Sequence, residues 1–452
     1  MGEQVSKAEG RGLPLRRRDR RGRPGSRPSA GFRRQVARAL SHAGPLRSTA
    51  LLPALDESQA WPAERMQQLQ LELLRRILPP GSGAGPTSID DVAELPVMTR
   101  DDLSRRPSRA PGRRVSTSGT GGSPQRILWS LESMRWQDAV DERSRDWLGV
   151  RGWDRRVWIC CNPAGPLRRG HLALANTRIV EAGEIGSSED ARRRLADRLA
   201  ADPPDLLQGV SNALAAVADE LAANGRRLPG TRWLSAGNHL TPWYRRRISR
   251  LTPGPVAERY AAVEVGLIAS SCERGSLHVN SENLLVEVVG ADGRALHDRA
   301  GEVLLTTLRN RTAPLVRYAV GDVAVLRSTA CGCGRTLPVI EPAGRLQGLG
   351  FGDFPVDPRP LFDAIDADGV LEARVLQGAG GSIDVEVVLD PNADRRPLLS
   401  RIERDAARLL DSVEVRARTV ARIEPATSGK IRHIGAVTRP QDQATSSHAR
   451  RQ

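Results

Sequence analysis

Residues Ser116–Pro124, STSGTGGSP, consist almost entirely of serine, threonine and glycine. Glycine lets successive backbone N–H groups converge into an anion-binding nest, and hydroxyls add donors for phosphate oxygens. No Gly-Lys-Ser/Thr ends the stretch, so it is not a Walker A loop. Taken alone it reads equally well as a flexible Ser/Gly linker. A second set of residues could hold a metal. Five residues separate Cys272 from His278, and Cys331 and Cys333 follow in CGCGRTLP. Three thiolates and one imidazole make a tetrahedral zinc shell; the other reading is buried free thiols. A closed four-ligand shell leaves no open position, so such a metal would staple two loops and not catalyse. The remaining cysteines, Cys160 and Cys161, sit in an apolar run beside Trp158 and read as core.

Lysine use singles out one more residue. Of 68 Lys and Arg residues only two are lysine, Lys7 and Lys430. Arginine offers a planar, permanently charged fork, whereas lysine offers a compact ammonium. A lone ammonium in an arginine-rich body invites a role that only a point charge can fill. His171 and His239 fall near expected pocket walls, but a single histidine is more often structural.

Helices and strands must position these groups. Apolar spacing predicts helices over 61–79, 131–149, 188–201, 211–224 and 396–411. Residues 88–107 read as a short capped helix and an extended piece. Strands are expected at 156–161, 283–289, 302–307, 383–389 and 413–423. The alternation argues for an α/β body, with a smaller α+β unit beginning near 350. Residues 1–47 carry thirteen Lys or Arg against three acids, which is +10 of the formal +15. The basicity belongs to a tail expected to be disordered, and nucleic acid is not an expected partner of the body. No apolar run approaches the length of a membrane span, and none follows the arginines as a secretory signal requires. A cytoplasmic location is expected. Five cysteines in 452 residues exclude a disulfide scaffold.

Several motifs follow one another in order: STSGTGGSP, RYAAVEVG at 259–266, RYAVGD at 317–322, Gly344-Arg345 and SGKIR at 428–432. Together with DVAELPVMTRDDL, GVSNALAAVADEL and GEVLLTTLRNRTAPLVRYAVGD, they resemble the adenylate-forming acyl/aryl ligases. The likeness is to the branch of phenylacetate–CoA ligases and CapK-like proteins, over roughly residues 60–437. It implies a large N-terminal α/β adenylation domain (48–349) and a small mobile C-terminal α+β domain (350–437), with flexible ends at 1–47 and 438–452. It implies that Ser118, Gly119, Thr120, Gly121 and Gly122 wrap the ATP phosphates. Tyr260 would lie against adenine, Glu264 would meet Mg²⁺, Asp322 would accept from the ribose hydroxyls, and Arg345 would face the nucleotide. Lys430 would neutralise charge between the carboxylate and the α-phosphate. The branch also carries residues similar to Cys272, His278, Cys331 and Cys333 as a structural zinc site.

The implied function is ATP-dependent activation of a small carboxylic acid as an acyl-adenylate, then thioester formation with CoA. The alternatives are transfer to an amine or a carrier protein, and a degenerate relative that only binds nucleotide. The chain departs from the family at several positions. Ser123 stands where the phosphate loop usually has lysine. Asn238 replaces a glutamate, Ala261 a glycine and Val263 a threonine, and Gln347-Gly348 replaces the acidic hinge pair.

Overall fold

The computed structural model describes residues 48–78, 86–104, 112–116, 125–161, 165–252, 254–346, 350–351, 354–355, 357–378, 381–410, 413–425 and 430–436. The expected phosphate loop Ser118–Gly122, the basic tail 1–47, the pair Gln347-Gly348 and the end 438–452 lie outside the described residues.

Strands β1 (Arg113–Ser116) and β2 (Arg126–Trp129) form an antiparallel pair in which Ser116 faces Arg126, on either side of the serine- and glycine-rich stretch. The main sheet has eleven strands. Its parallel half is β3 (Arg156–Cys160), β4 (Thr177–Glu181), β5 (Leu206–Gly209), β6 (Arg232–Ala236) and β7 (Ala257–Ala262), in the order β4-β3-β5-β6-β7. The apolar run RVWIC of β3 is buried along most of its length, as a strand covered on both faces must be. Helices alternate with these strands, including Glu189–Ala201, Ser211–Ala223 and Pro242–Ser249.

Beyond β7 the sheet turns antiparallel. It continues through β8 (Gly266–Ser271), β9 (Leu277–Val279), β10 (Leu284–Val289), β11 (Ala300–Thr307), β12 (Tyr318–Arg327) and β13 (Val339–Arg345), in the order β8-β9-β13-β12-β11-β10. The sequence pattern anticipates β10 and β11 but not β7, β8, β12 or β13. A short hairpin, β14 (Gly350–Phe351) with β15 (Phe354–Pro355), precedes a second sheet. That sheet holds β16 (Val370–Gln377), β17 (Ile383–Leu389), β18 (Val415–Thr419) and β19 (Ile434–Ala436) in the order β18-β17-β16-β19. Helices Arg359–Ile365 and Arg395–Leu409 belong to this smaller unit. The result is a large N-terminal α/β domain carrying a small C-terminal one.

The two sheets share a core. Trp243, Tyr244 and Ile248 of the helix Pro242–Ser249 are fully buried in one cluster with Phe362, Ile365, Val370 and Val375 of the small domain. Arg246 of the same helix bonds the Asp366 carboxylate and the Ala367 and Val370 carbonyls, and the Tyr244 hydroxyl donates to Glu372. Elsewhere, a buried ion pair fixes the helix Leu131–Asp146. Arg143 donates to Glu282 at 2.6 Å, and both side chains are almost fully enclosed. Burial pushes the Glu282 carboxyl up, but Arg143 outweighs it and holds the group below its ordinary range. No helix among the described residues is long and apolar enough to cross a membrane.

Candidate active site and cysteine cluster

The carboxyl ends of parallel strands are where an open α/β sheet leaves a crevice for ligands. Here those strand ends adjoin the place where the sheet changes from parallel to antiparallel. Gly237 follows the end of β6, and Glu264 lies in the turn from β7 to β8. Across the sheet, β12 and β13 pair with Asp322 opposite Arg345.

Tyr260, Asp322 and Arg345 form one hydrogen-bonded group. The Tyr260 hydroxyl donates to Asp322 Oδ2 at 2.8 Å, and Arg345 Nε lies 3.0 Å from Asp322 Oδ1. Burial raises the Asp322 carboxyl above its usual range, against the opposing pull of Arg345, the Tyr260 hydroxyl and the Lys430 ammonium. Burial, with the Asp322 charge adding to it, lifts the Tyr260 phenol well above its ordinary value. Tyr318 rises to about 12 through burial and the negative field of Glu264. The Glu264 charge thus reaches both tyrosines.

Lys430 arrives from the small domain. A Cβ built on Gly237 would stand 3.8 Å from Lys430 Cε, and Gly237 has a φ of +90°. The ammonium also pulls on Cys161, opposing the burial that raises this thiol. Cys161 is half-buried and packs against the core, as expected, but it also stands at the carboxyl end of β3, close to the lysine. The five side chains that the resemblance assigns to the nucleotide and the reaction and that fall among the described residues, Tyr260, Glu264, Asp322, Arg345 and Lys430, therefore share one neighbourhood.

Asn238 donates to Asn212 Oδ1 at 3.4 Å. His239 lies 5.7 Å from the Phe362 ring, and burial together with His433 brings its imidazole down to about 3. The side chain of His171 lies outside the description.

Cys272, His278, Cys331 and Cys333 also meet. Their ligand atoms lie within 4.8 Å of one another, and they form the one such group of three or more His, Cys, Asp or Glu residues among the described residues. Cys272 Sγ is 3.8 Å from Cys331 Sγ, and Cys333 Sγ is 3.3 Å from His278 Nε2. His278 Nδ1 lies 2.8 Å from the Leu337 carbonyl. Donation to that carbonyl fixes the tautomer and leaves Nε2 turned to the thiols, the usual arrangement behind a metal-binding histidine. The donor set and its second contact fit a four-coordinate metal.

The fold is the one seen in solved acyl-CoA ligase structures, and one short stretch of sequence is similar to a phenylacetate–CoA ligase. The chain is 38% identical over 73 residues to the phenylacetate–coenzyme A ligase of Thermus thermophilus. That match spans 15% of this chain and 16% of the relative. No family model matches the chain. Among solved structures, 2-hydroxyisobutyryl-CoA ligase, in the postadenylation state with its acyl-AMP ligand, superposes with a TM-score of 0.64. The identity is 15%, over 90% of this chain and 93% of that one. The amide bond synthetase McbA of Marinactinospora thermotolerans gives a TM-score of 0.53 at 16% identity, over 70% of this chain and 67% of that one.

Proposed function

We propose that this protein is an AMP-forming acyl- or aryl-CoA ligase. The observation that carries the reading is the placement of Lys430 beside Gly237 and within reach of the Asp322 charge. In the first step, a carboxylate oxygen of the acid attacks the α-phosphorus of ATP. The bond to the β-phosphate oxygen breaks and pyrophosphate leaves. Lys430 places a focused positive charge where negative charge builds on the α-phosphate. Asp322 would accept from the ribose hydroxyls, steadied by Tyr260 and Arg345, and the Tyr260 ring would lie against adenine. Ser118, Gly119, Thr120, Gly121 and Gly122 would surround the phosphates. Glu264 would hold Mg²⁺, whose role is to neutralise phosphate charge. In the second step, the CoA thiol attacks the acyl carbonyl, AMP departs with the bonding pair, and the thiol proton passes to solvent.

The cysteine cluster would hold a structural Zn²⁺. It would tie the loop after β8 to the loop before β13, away from the chemistry. The reading places the enzyme in the cytoplasm, where its five cysteines, three of them in the metal cluster, stay out of disulfides.

The decisive experiment measures pyrophosphate release with ATP, Mg²⁺ and a panel of aryl and aliphatic acids, with and without CoA. Release with at least one acid, and a CoA thioester as product, is the expected result. No release across the panel would favour a nucleotide-binding relative that has lost its chemistry, a reading in which the changes at Asn238, Ala261 and Val263 matter most. The likeness to an amide bond synthetase motivates one further arm, in which an amine replaces CoA. An amide formed in preference to the thioester would move the assignment to that acceptor; a carrier-protein thiol is the remaining alternative.

A further inference from the structure

The turn that carries Glu264 is held by a side chain from outside both of its strands. Gln137, on the helix Leu131–Asp146, donates from Nε2 to the Val265 carbonyl at 2.8 Å. Its Oε1 accepts from the Leu267 N–H at 2.9 Å. The two bonds straddle Gly266, which has a φ of +84°. A Cβ at Gly266 would approach Gln137 Oε1 to 2.3 Å, so the amide occupies the space that a side chain would need.

The clamp adds to an irregular ladder. The β7–β8 register shifts between Tyr260 and Ala261; Ala261 pairs with Leu267 and Ala262 with Gly266 beside the turn, and the Val265 N–H bonds the Ala262 carbonyl at 3.2 Å. Both arms of the Gln137 amide are used, one as donor and one as acceptor. Glutamate lacks the donor, and asparagine is one methylene short. A primary amide of this length is therefore what the position requires.

We propose that Gln137 is a positioning residue that sets the direction of Glu264 by clamping the backbone on the far side of its turn. The inference deepens the ligase reading and rests on it for the role of Glu264. Glu264 lies only one residue before Val265, so a slackened turn displaces its carboxylate directly. Loss of Gln137 should thus weaken the response to Mg²⁺ without weakening the response to the acid.

The test uses the full-length chain and three variants, Gln137→Ala, Gln137→Met and Gln137→Glu. Pyrophosphate release is titrated with Mg²⁺ and separately with the acid, and backbone amide exchange is followed through residues 260–270. Gln137→Ala and Gln137→Met should raise the half-saturating Mg²⁺ concentration on the order of tenfold, the effect of one lost buried hydrogen-bonding partner. The KM for the acid should change less than about twofold, and exchange at Leu267 should accelerate. Gln137→Glu keeps the acceptor, so Leu267 should stay protected while the Mg²⁺ response still weakens. Exchange in β17 of the small domain reports whether a variant remains folded. If the wild type releases pyrophosphate and the variants show an unchanged Mg²⁺ response, or an equal rise in acid KM, the positioning role is wrong and the ligase reading stands. A wild type that releases none overturns the ligase reading, and the role of Glu264 falls with it.

Discussion

The Tyr260 hydroxyl donates to the Asp322 carboxylate at 2.8 Å, joining β7 to β12 across the candidate nucleotide site. The two residues are 62 positions apart in the chain. The bond holds the carboxylate that is proposed to receive the ribose, while Arg345 holds its other oxygen.

Removing that hydroxyl should loosen nucleotide binding more than chemistry. A hydrogen bond to a charged acceptor contributes about 1.5–3 kcal/mol. Tyr260→Phe is therefore expected to raise the KM for ATP about tenfold, with kcat changed less than about threefold. Asp322→Asn should do more, and the double variant should cost little beyond Asp322→Asn, because both act through one carboxylate. Additive losses in a double-mutant cycle would show that the two residues act independently.

Part of this arrangement was legible before any coordinates, and the limits have physical causes. Tyr260, Glu264, Asp322, Arg345 and Lys430 stand in short motifs whose residue types carry the chemistry, so motif order was enough to nominate them. The zinc candidates were readable for the same reason: thiols and imidazole are few in this chain. The antiparallel half of the sheet was harder. β12 mixes apolar residues with Gly321 and Asp322, and its register shifts after Val323, so it shows no clean two-residue alternation. The Gln137 clamp has no local signature, because its partners lie about 130 residues away on a separate element. Cys161 read as core from its neighbours in sequence. Only the fold shows that its strand ends close to Lys430.

Cys272, His278, Cys331 and Cys333 lead to a measurable metal content. Purified protein should carry about one Zn²⁺ per chain, as a four-ligand structural site does. Cys333→Ser should lower zinc occupancy and melting temperature together, since binding free energy in such sites is coupled to folding. The pyrophosphate assay on whatever protein stays folded should keep its acid preference. Stoichiometric absence of zinc, with a melting curve indifferent to chelators, would eliminate the site.

His433 predicts a pH dependence. Its Nδ1 lies 2.9 Å from the Ala373 carbonyl, and its Nε2 is buried without a hydrogen-bond partner. The rings of Trp243, Tyr244 and Phe362 surround it. Burial brings its imidazole down from 6.5 to about 4. The unfolded chain therefore binds the proton more readily than the folded one between those values. The contribution to stability is complete above about pH 6.5 and is lost as the pH falls towards 4. The loss amounts to on the order of 3 kcal/mol. His433→Asn can keep a donor for Ala373 without titrating in this window. Urea unfolding at pH 7.5 and pH 5 should show a smaller pH effect for His433→Asn than for the wild type. Equal pH effects would mean that the imidazole is not what the small domain's packing holds neutral.

Lys430 provides the sharpest division between the two proposed steps. It is the only lysine beyond Lys7, and its side chain stands against Gly237 at the end of β6. Lys430→Arg keeps the charge but spreads it over a broad planar fork in place of a compact ammonium. Both Lys430→Arg and Lys430→Ala should reduce adenylate formation by on the order of a hundredfold or more, as the loss of a focused transition-state charge does. Nucleotide affinity should change far less, since Tyr260, Asp322 and Arg345 remain in place. When a preformed acyl-adenylate is supplied, thioester formation should survive in both variants, because attack at the α-phosphorus, where Lys430 is proposed to act, belongs to the first step alone and the second attack falls on the acyl carbon. Single-turnover measurements of each half-reaction separate the cases. An equal loss in both would mean that Lys430 supports the site as a whole and not the first step.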